Sequence, residues 1–356
     1  MQETLDAFDR APREARDGAV RAIGRALAKK DGHGAHVLAL TLGALVEGGA
    51  SPETAWPALA RGLPTLLDGA TAFVAAAIAA AKDDVVENAL GTAGAVVALA
   101  MPREAAAFEA LPSRCLAAVA CLTRSKSLRA KARRDDALLA SAWPLSDAVD
   151  EVGALVQAMR VLDDAPVLVL APDAAAGWRF VADGLASNLD LYVLLADALF
   201  ADAKKARLPG KRIDPKALAV LRGETSPKKP PRVTFPFELL PWTAMRRDGS
   251  LPETAGSLSL DDVPADIPAL GAERVVLVRA AALGPVLVEP TFEALRPRLR
   301  LVEVLAPGEV LRALVALAGA MPTTPSHPEP PQAMPGRATE SGPRRRRRPR
   351  PGDEQA

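Results

Sequence analysis

The apolar residues of this chain change their spacing once, near Val161, and this change limits which folds the chain can adopt. Before Val161 they recur at helical spacing, and capping residues separate successive segments. After Val161, short runs rich in valine and leucine alternate with helical segments. We therefore predict an α+β protein, with an all-helical N-terminal bundle over residues 1–160 and a small mixed α/β domain over residues 161–320.

The helix boundaries in the first half are predicted from serine, proline and glycine. Ser51 followed by Pro52 predicts a helix N-terminus, because serine caps free backbone N–H groups and proline fits the first turn. Gly69, and either Gly91 or Gly94, are interpreted as further boundaries between helices. Since only 4% of the residues are aromatic, these helices must pack through alanine, leucine and valine.

The second half contains predicted strands separated by loops and helices. Four strands are predicted, at residues 166–170, from Trp178 onward, at 274–280 and at 299–305. Ser187 and Asn188 are suited to cap the apolar helix that follows them, and residues 307–320 form the last predicted helix. Residues 223–232 (GETSPKKPPR) are predicted to be a loop, because they combine three prolines with no aliphatic or aromatic residue.

Residues 321–356 are predicted to be a disordered tail rich in proline and arginine. They contain nine prolines and almost no apolar side chains, so they cannot bury enough surface to offset the entropy of ordering.

The tail carries a formal charge of +3 and the whole chain +1, which leaves −2 on residues 1–320. A general attraction of the folded part to nucleic acid is therefore excluded. A weak contact with polyanions is predicted for the clustered arginines of the tail, which are Arg344, Arg345, Arg346, Arg347, Arg348 and Arg350. The alternative is a solvated tail without a binding role.

A second group of basic residues lies at the end of the helical half. It comprises Arg114, Arg124, Lys126, Arg129, Lys131, Arg133 and Arg134. We interpret this group as a solvent-exposed face, on or beside one predicted helix.

Residue types that perform most enzymatic proton transfer and nucleophilic attack are scarce. The chain has three histidines, two cysteines and one tyrosine. His33 and His36 lack the further ligands of a metal site, and Cys115 and Cys121 are expected to be buried free thiols in a reducing compartment. Phosphate-binding glycine loops and the GxSxG motif are absent from the sequence. We therefore assign no catalytic, cofactor-binding or metal-binding residue and expect no cofactor.

Carboxylates at predicted strand ends are the remaining candidates for chemistry. A carboxylate pair can act as acid and base, although aspartate is also a common cap and turn residue. The predicted ligand or partner contacts are Asp163, Asp164, Trp178, Arg179, Asn188, Asp190, Trp242 and Asp266. The two tryptophans would supply an apolar wall for such a pocket.

The sequence is expected to belong to a cytoplasmic protein without a membrane span. The N-terminal segment is acidic and lacks the basic and apolar regions of a secretion signal. The most apolar stretch, residues 70–81, is predicted to be a buried helix of the bundle, because twelve helical residues span only ~18 Å.

Segments of the second half resemble a family of uncharacterised bacterial and fungal proteins. The family has a strand of the form VLDDEPLLVL, and this chain has VLDDAPVLVL at 161–170. NLDL at 188–191 corresponds to Asn-Phe-Gln-Leu in the family, and PADIP at 264–268 precedes a strand in both. The resemblance covers roughly 150 residues and departs at 259–262, where SLDD replaces Trp-Asn-Glu-Gly. It brings no established activity to this chain.

These observations favour a non-enzymatic protein-interaction module, with another protein as its partner and the basic tail as a secondary contact. The scarcity of catalytic side chains and the surplus of aliphatic helix surface support this hypothesis. The alternative is a small-molecule-binding protein or an enzyme that uses the carboxylates at the strand ends.

Deleting residues 322–356 should abolish any binding of the chain to nucleic acid or anionic vesicles. The clustered arginines act mainly through counterion release, so binding by the full chain should weaken steeply with salt. The melting temperature should change by less than about a degree, because the tail buries no apolar surface. Fluorescence anisotropy and thermal unfolding measure both effects. Binding by the truncated chain at physiological salt would contradict the prediction.

Overall fold

The fold is described by a computed structural model that covers residues 11–30, 32–83, 85–201, 208, 210–246, 248 and 250–320. The predicted tail over 321–356, with its six clustered arginines, lies outside the described residues, as does the side chain of His33. The α+β class is confirmed.

Nine α-helices make up the first half within the described residues. They are α1 (Arg13–Leu27), α2 (Gly32–Glu47), α3 (Pro52–Ala60), α4 (Leu63–Ala81), α5 (Val86–Ala100), α6 (Pro102–Arg124), α7 (Lys126–Ala132), α8 (Asp136–Ala142) and α9 (Asp150–Met159). Helix α6 is central, since α2, α3, α4 and α9 all pack against it. The shared core consists of leucine, alanine and valine, with Leu42, Leu111 and Leu122 fully buried.

Ser51 caps α3 as predicted, whereas Gly69, Gly91 and Gly94 do not mark helix ends. The Ser51 hydroxyl accepts a hydrogen bond from the Thr54 N–H at 3.2 Å. Gly69 lies inside α4, and Gly91 and Gly94 lie inside α5, so the predicted boundaries there are wrong. A Cβ on Gly69 would come within 3.1 Å of the Ala107 Cβ, so this glycine lets α4 approach α6 closely. Gly91 faces open space, and nothing in the structure explains it.

Helices α4 and α6 are long and apolar enough, by length and composition, to cross a membrane. The apolar stretch at 70–81 is therefore only the second part of a helix of 19 residues. Core helices of soluble proteins can be equally long and apolar. Of the most apolar 18 residues in each helix, 56% are buried in α6 and 33% in α4. The absence of a membrane span stays a prediction.

The second half is built around one mixed sheet. Its strands are β1 (Ala165–Ala171), β2 (Ala176–Asp183), β3 (Arg232–Pro241), β4 (Ala269–Leu270), β5 (Glu273–Leu287) and β6 (Arg298–Val304), and its helices are α10 (Asn188–Phe200), α11 (Pro215–Leu221) and α12 (Pro307–Gly319). The strand order is β3-β5-β1-β2-β6, with the short β4 paired to the start of β5. Strands β1 and β5 are parallel, and the other pairs are antiparallel.

Both faces of this sheet are covered. On one face, Val169, Phe180 and Val276 pack against α10 and α11. On the other face, Leu170 and Leu277 pack against α12. Strand β3 was not predicted from the sequence, because Pro236 and Pro241 interrupt its apolar pattern, and proline is tolerated in this way at a sheet edge.

Two glycines of α1 should respond oppositely to alanine. A Cβ at Gly24 would lie 2.9 Å from the Ala58 Cβ on α3, whereas a Cβ at Gly18 would meet nothing within 4 Å. Gly18→Ala should stabilise the protein by about 0.5–1 kcal/mol through helix propensity. Gly24→Ala should destabilise it by about 1–3 kcal/mol through overpacking. Urea unfolding of both variants tests this, and equal shifts would contradict the packing of α1 on α3.

Candidate functional site

A pocket of about 350 Å³ lies where the helical bundle meets the sheet. The bundle contributes Arg133, which directly follows α7, and Arg160, which ends α9. The sheet side contributes Asp163, ahead of β1, and Arg274, at the start of β5. The remaining lining residues are mostly small or apolar, so the polar groups of the pocket are three arginines and one aspartate.

Asp163 is fully occupied by partners from both halves of the chain. Its carboxylate accepts hydrogen bonds from Arg129 Nε at 2.8 Å and Arg129 Nη2 at 2.7 Å. It also accepts from the Gly184 N–H at 3.3 Å, and Arg133 Nη2 lies 3.5 Å away. The side chains of Arg129 and Asp163 are only 7% and 5% exposed. This buried, bidentate ion pair joins α7 to the segment that leads into β1.

Arg133 and Arg160 each have a buried nitrogen that donates to nothing in the described part of the chain. Arg133 Nη2 donates to the Val161 carbonyl, and Arg160 Nη2 donates to the Asp266 carboxylate. The Arg160 guanidinium also lies over the Trp143 ring, at 5.2 Å from its centroid. The Nε atoms of both arginines are buried without a hydrogen-bond acceptor. A buried donor without an acceptor costs free energy, and a bound anion would supply the acceptor.

Arg274 completes a cluster in which positive charge exceeds negative charge. Its Nη1 donates to the Ile267 carbonyl at 2.5 Å. Burial lowers the pKa of Arg274, and the nearby charges of Arg160 and Arg133 lower it further, while Asp266 opposes them. Burial likewise lowers the pKa of Arg133. Four guanidinium groups, counting Arg129, therefore face the two carboxylates of Asp163 and Asp266, an excess of two positive charges.

The structure brings one of the eight sequence-predicted contact residues, Asp163, into the lining of this pocket. Asp266 does not line the pocket but binds Arg160, which does. Asp164, next to Asp163, is exposed and binds Lys126 Nζ at 2.7 Å. Trp178 and Trp242 are buried in the cores on opposite faces of the sheet, so they do not form one wall.

The other three predicted residues lie elsewhere in the sheet domain. Arg179 binds Glu273 at 2.9 Å and Glu303 at 2.7 Å. Asp190 accepts hydrogen bonds from the N–H groups of Ala186 and Ser187 at the start of α10, and burial raises its pKa to about 6. Asn188, in the same turn, donates to the Ser259 carbonyl at 2.8 Å. These eight residues therefore do not converge on one place, and a ligand or partner contact by any of them stays a prediction.

Sequence reasoning missed the three arginines that line the pocket. The prediction of a solvent-exposed basic face is wrong for Arg129, which is buried, while the Arg133 side chain is 35% exposed. The four-residue spacing of these two arginines places them on one side of α7, and this was the available signal. Arg160 and Arg274 lie more than 100 residues apart, and the sequence contains no sign that they meet.

The expected free thiols are observed. Cys115 and Cys121 are buried, and burial raises the pKa of each to about 12. Among the described residues, no group of three or more histidine, cysteine, aspartate or glutamate side chains could hold a metal ion.

Comparisons with protein-family models, with characterised proteins and with solved structures find no match to this chain. The resemblance of the second half to a bacterial and fungal family stays a prediction.

Neutralising Asp163 should destabilise the fold far more than neutralising its neighbour Asp164. Asp163→Asn leaves the Arg129 charge buried without its partner, which typically costs about 3–5 kcal/mol. Asp164 is 75% exposed, so Asp164→Asn should cost at most about 1 kcal/mol. Asparagine also tolerates the φ of 50° found at position 164. Urea unfolding of both variants measures the difference, and similar losses would contradict the role of the Arg129–Asp163 pair.

Proposed function

We propose that this protein binds a small phosphate-bearing molecule in the pocket formed by Arg133, Arg160 and Arg274. The carrying observation is the excess of two positive charges, together with two buried arginine Nε atoms that have no acceptor among the described residues. A dianionic ligand would balance this charge and accept the unused hydrogen bonds.

The donors favour a phosphate group as the anion. Guanidinium groups present planar, paired N–H donors that match phosphate oxygens, and an arginine keeps its charge when it is partly buried. A volume of about 350 Å³ exceeds what one phosphate ion fills and lies at the lower end for small-molecule sites. A phosphorylated small molecule therefore fits better than free phosphate.

Asp266 is placed to act as an exchangeable counter-ion. Its side chain is 56% exposed, while the Arg160 side chain that it binds is only 6% exposed. Asp262 lies close enough to Asp266 for the two charges to interact, and burial together with Asp266 raises the pKa of Asp262. Repulsion among these carboxylates favours movement of Asp266 away from Arg160 when a stronger anion arrives.

This proposal falls within the small-molecule alternative of the sequence analysis, but it changes the recognition groups. The arginines bind the ligand, whereas Asp163 and Asp266 balance charge. Asp163 already accepts three hydrogen bonds, so its carboxylate has little capacity left for a ligand.

Replacing Arg274 should weaken phosphate binding about 10- to 100-fold, the usual value of one hydrogen bond to a charged group. Isothermal titration of the full chain with inorganic phosphate, pyrophosphate and a sugar phosphate measures the affinities. Arg274→Gln is compared with Arg179→Gln, which removes the same charge at a site paired with Glu273 and Glu303. The control variant should bind within about twofold of the original chain.

Asp266→Asn separates this proposal from a carboxylate-based site. If Asp266 competes with the ligand, its neutralisation should tighten phosphate binding. Absence of binding to every phosphate probe, or equal losses in the Arg274 and Arg179 variants, would overturn the proposal.

The interaction role favoured by the sequence stays a prediction beside this one. Its support in the structure is an exposed strand at the sheet edge, which lies outside the pocket.

A further inference from the structure

The two edges of the sheet differ in how their backbone groups are protected. At the β3 edge, the Leu239 N–H donates to the Tyr192 hydroxyl at 2.7 Å, and the Leu239 carbonyl accepts from the Leu258 N–H at 2.7 Å. Pro236 further blocks pairing along β3. At the β6 edge, no strand of the described chain pairs with the outer side, and residues 298–304 contain no proline. An exposed edge of this kind is a template for another strand.

Strand β6 also exposes apolar side chains. Leu301, Val302 and Val304 are 48%, 54% and 50% exposed. Aliphatic residues at a free edge are unusual in monomeric proteins, which more often place charges or proline there. Strand β6 also contains Arg298, Arg300 and Glu303, so the edge presents both apolar and charged side chains.

A register shift in β6 separates its apolar and charged residues onto two faces. Leu299, Leu301 and Val304 lie opposite Ala182, Phe180 and Trp178 of β2. Arg298, Arg300 and Glu303 lie opposite Asp183, Val181 and Arg179, the alternate residues. Because successive residues of β2 point to opposite faces, the first set shares one face of the sheet and the second set shares the other.

This arrangement is complementary to itself. When two β6 strands are placed antiparallel with the twofold axis between Leu301 and Val302, Leu299 lies opposite Val304 of the second copy. In the same register Arg300 lies opposite Glu303, and the symmetry repeats both pairs. Opposite charges and aliphatic pairs at directly facing positions stabilise antiparallel strands.

We propose that two copies of this chain associate through antiparallel pairing of β6 in this register, which joins the two sheets into one. Arg300 of each copy then binds Glu303 of the other. Glu303 already accepts a hydrogen bond from Arg179 at 2.7 Å, so each Glu303 would bind two arginines across the joined edge. The pairing is isologous and closes after two copies, as a twofold interface must.

Charge reversal at either position should break the dimer, and mixing the two reversed variants should restore it. Arg300→Glu places two glutamates opposite each other, and Glu303→Arg places two arginines opposite each other. A heterodimer of these variants contains only opposite-charge pairs. Sedimentation equilibrium of the full chains should show a dimer for the original protein and at least about tenfold weaker association for each variant alone. The equimolar mixture should regain the original affinity.

Arg298→Glu is the matched control, because Arg298 lies opposite Leu305 of the second copy in this register and has no charged partner across the interface. This variant makes the same charge change two residues before Arg300. Its dimer dissociation constant should stay within about twofold of that of the original chain. A monomeric original chain, or single variants that still dimerise, would overturn the proposal. This register would be overturned if the mixture failed to dimerise, or if the Arg298 variant associated as weakly as the Arg300 variant.

Discussion

The buried ion pair between Arg129 and Asp163 is the contact on which the rest of the structure depends. It lies between the last part of the helical bundle and the first strand of the sheet, and both side chains are almost fully buried. A buried pair adds little net stability compared with apolar packing, but losing one member leaves an uncompensated charge. The pair therefore acts mainly by defining how the two halves meet. Lys126, one turn earlier on α7, forms ion pairs with Asp164 and Asp183 at the same contact between the bundle and the sheet domain.

The pocket is formed where the helical bundle packs against the sheet domain. Docking α7 against β1 places Arg133 beside Asp163, and the end of α9 places Arg160 beside the start of β5. Each arginine has a structural partner, yet together they exceed their carboxylates by two charges. Desolvating an unbalanced charge is costly. A phosphate-bearing ligand would remove the imbalance and contact both halves of the chain at once.

The pocket and the β6 edge are physically separate, so the two proposals can fail independently. The pocket lies at the N-terminal end of β1, against the bundle, whereas β6 is an edge strand, two positions from β1 and three from β5. A ligand held between the two halves would change how firmly they are joined, and strand pairing would double the number of pockets in one particle. An interaction role and a binding role are therefore compatible in one protein.

The sequence by itself determined the α+β class, the Ser51 cap and the positions of most elements, because periodicity and capping are local properties. It could not determine that Gly69 lies inside a helix, since only the approach of Ala107 explains that glycine. It also identified Asp163 and Asp266, but as possible ligand or partner contacts. Their role as partners of arginines, and the pocket that Arg133, Arg160 and Arg274 share, were decided only by tertiary structure. Residues more than 100 positions apart meet there, and contacts at that distance leave no local pattern in a single sequence.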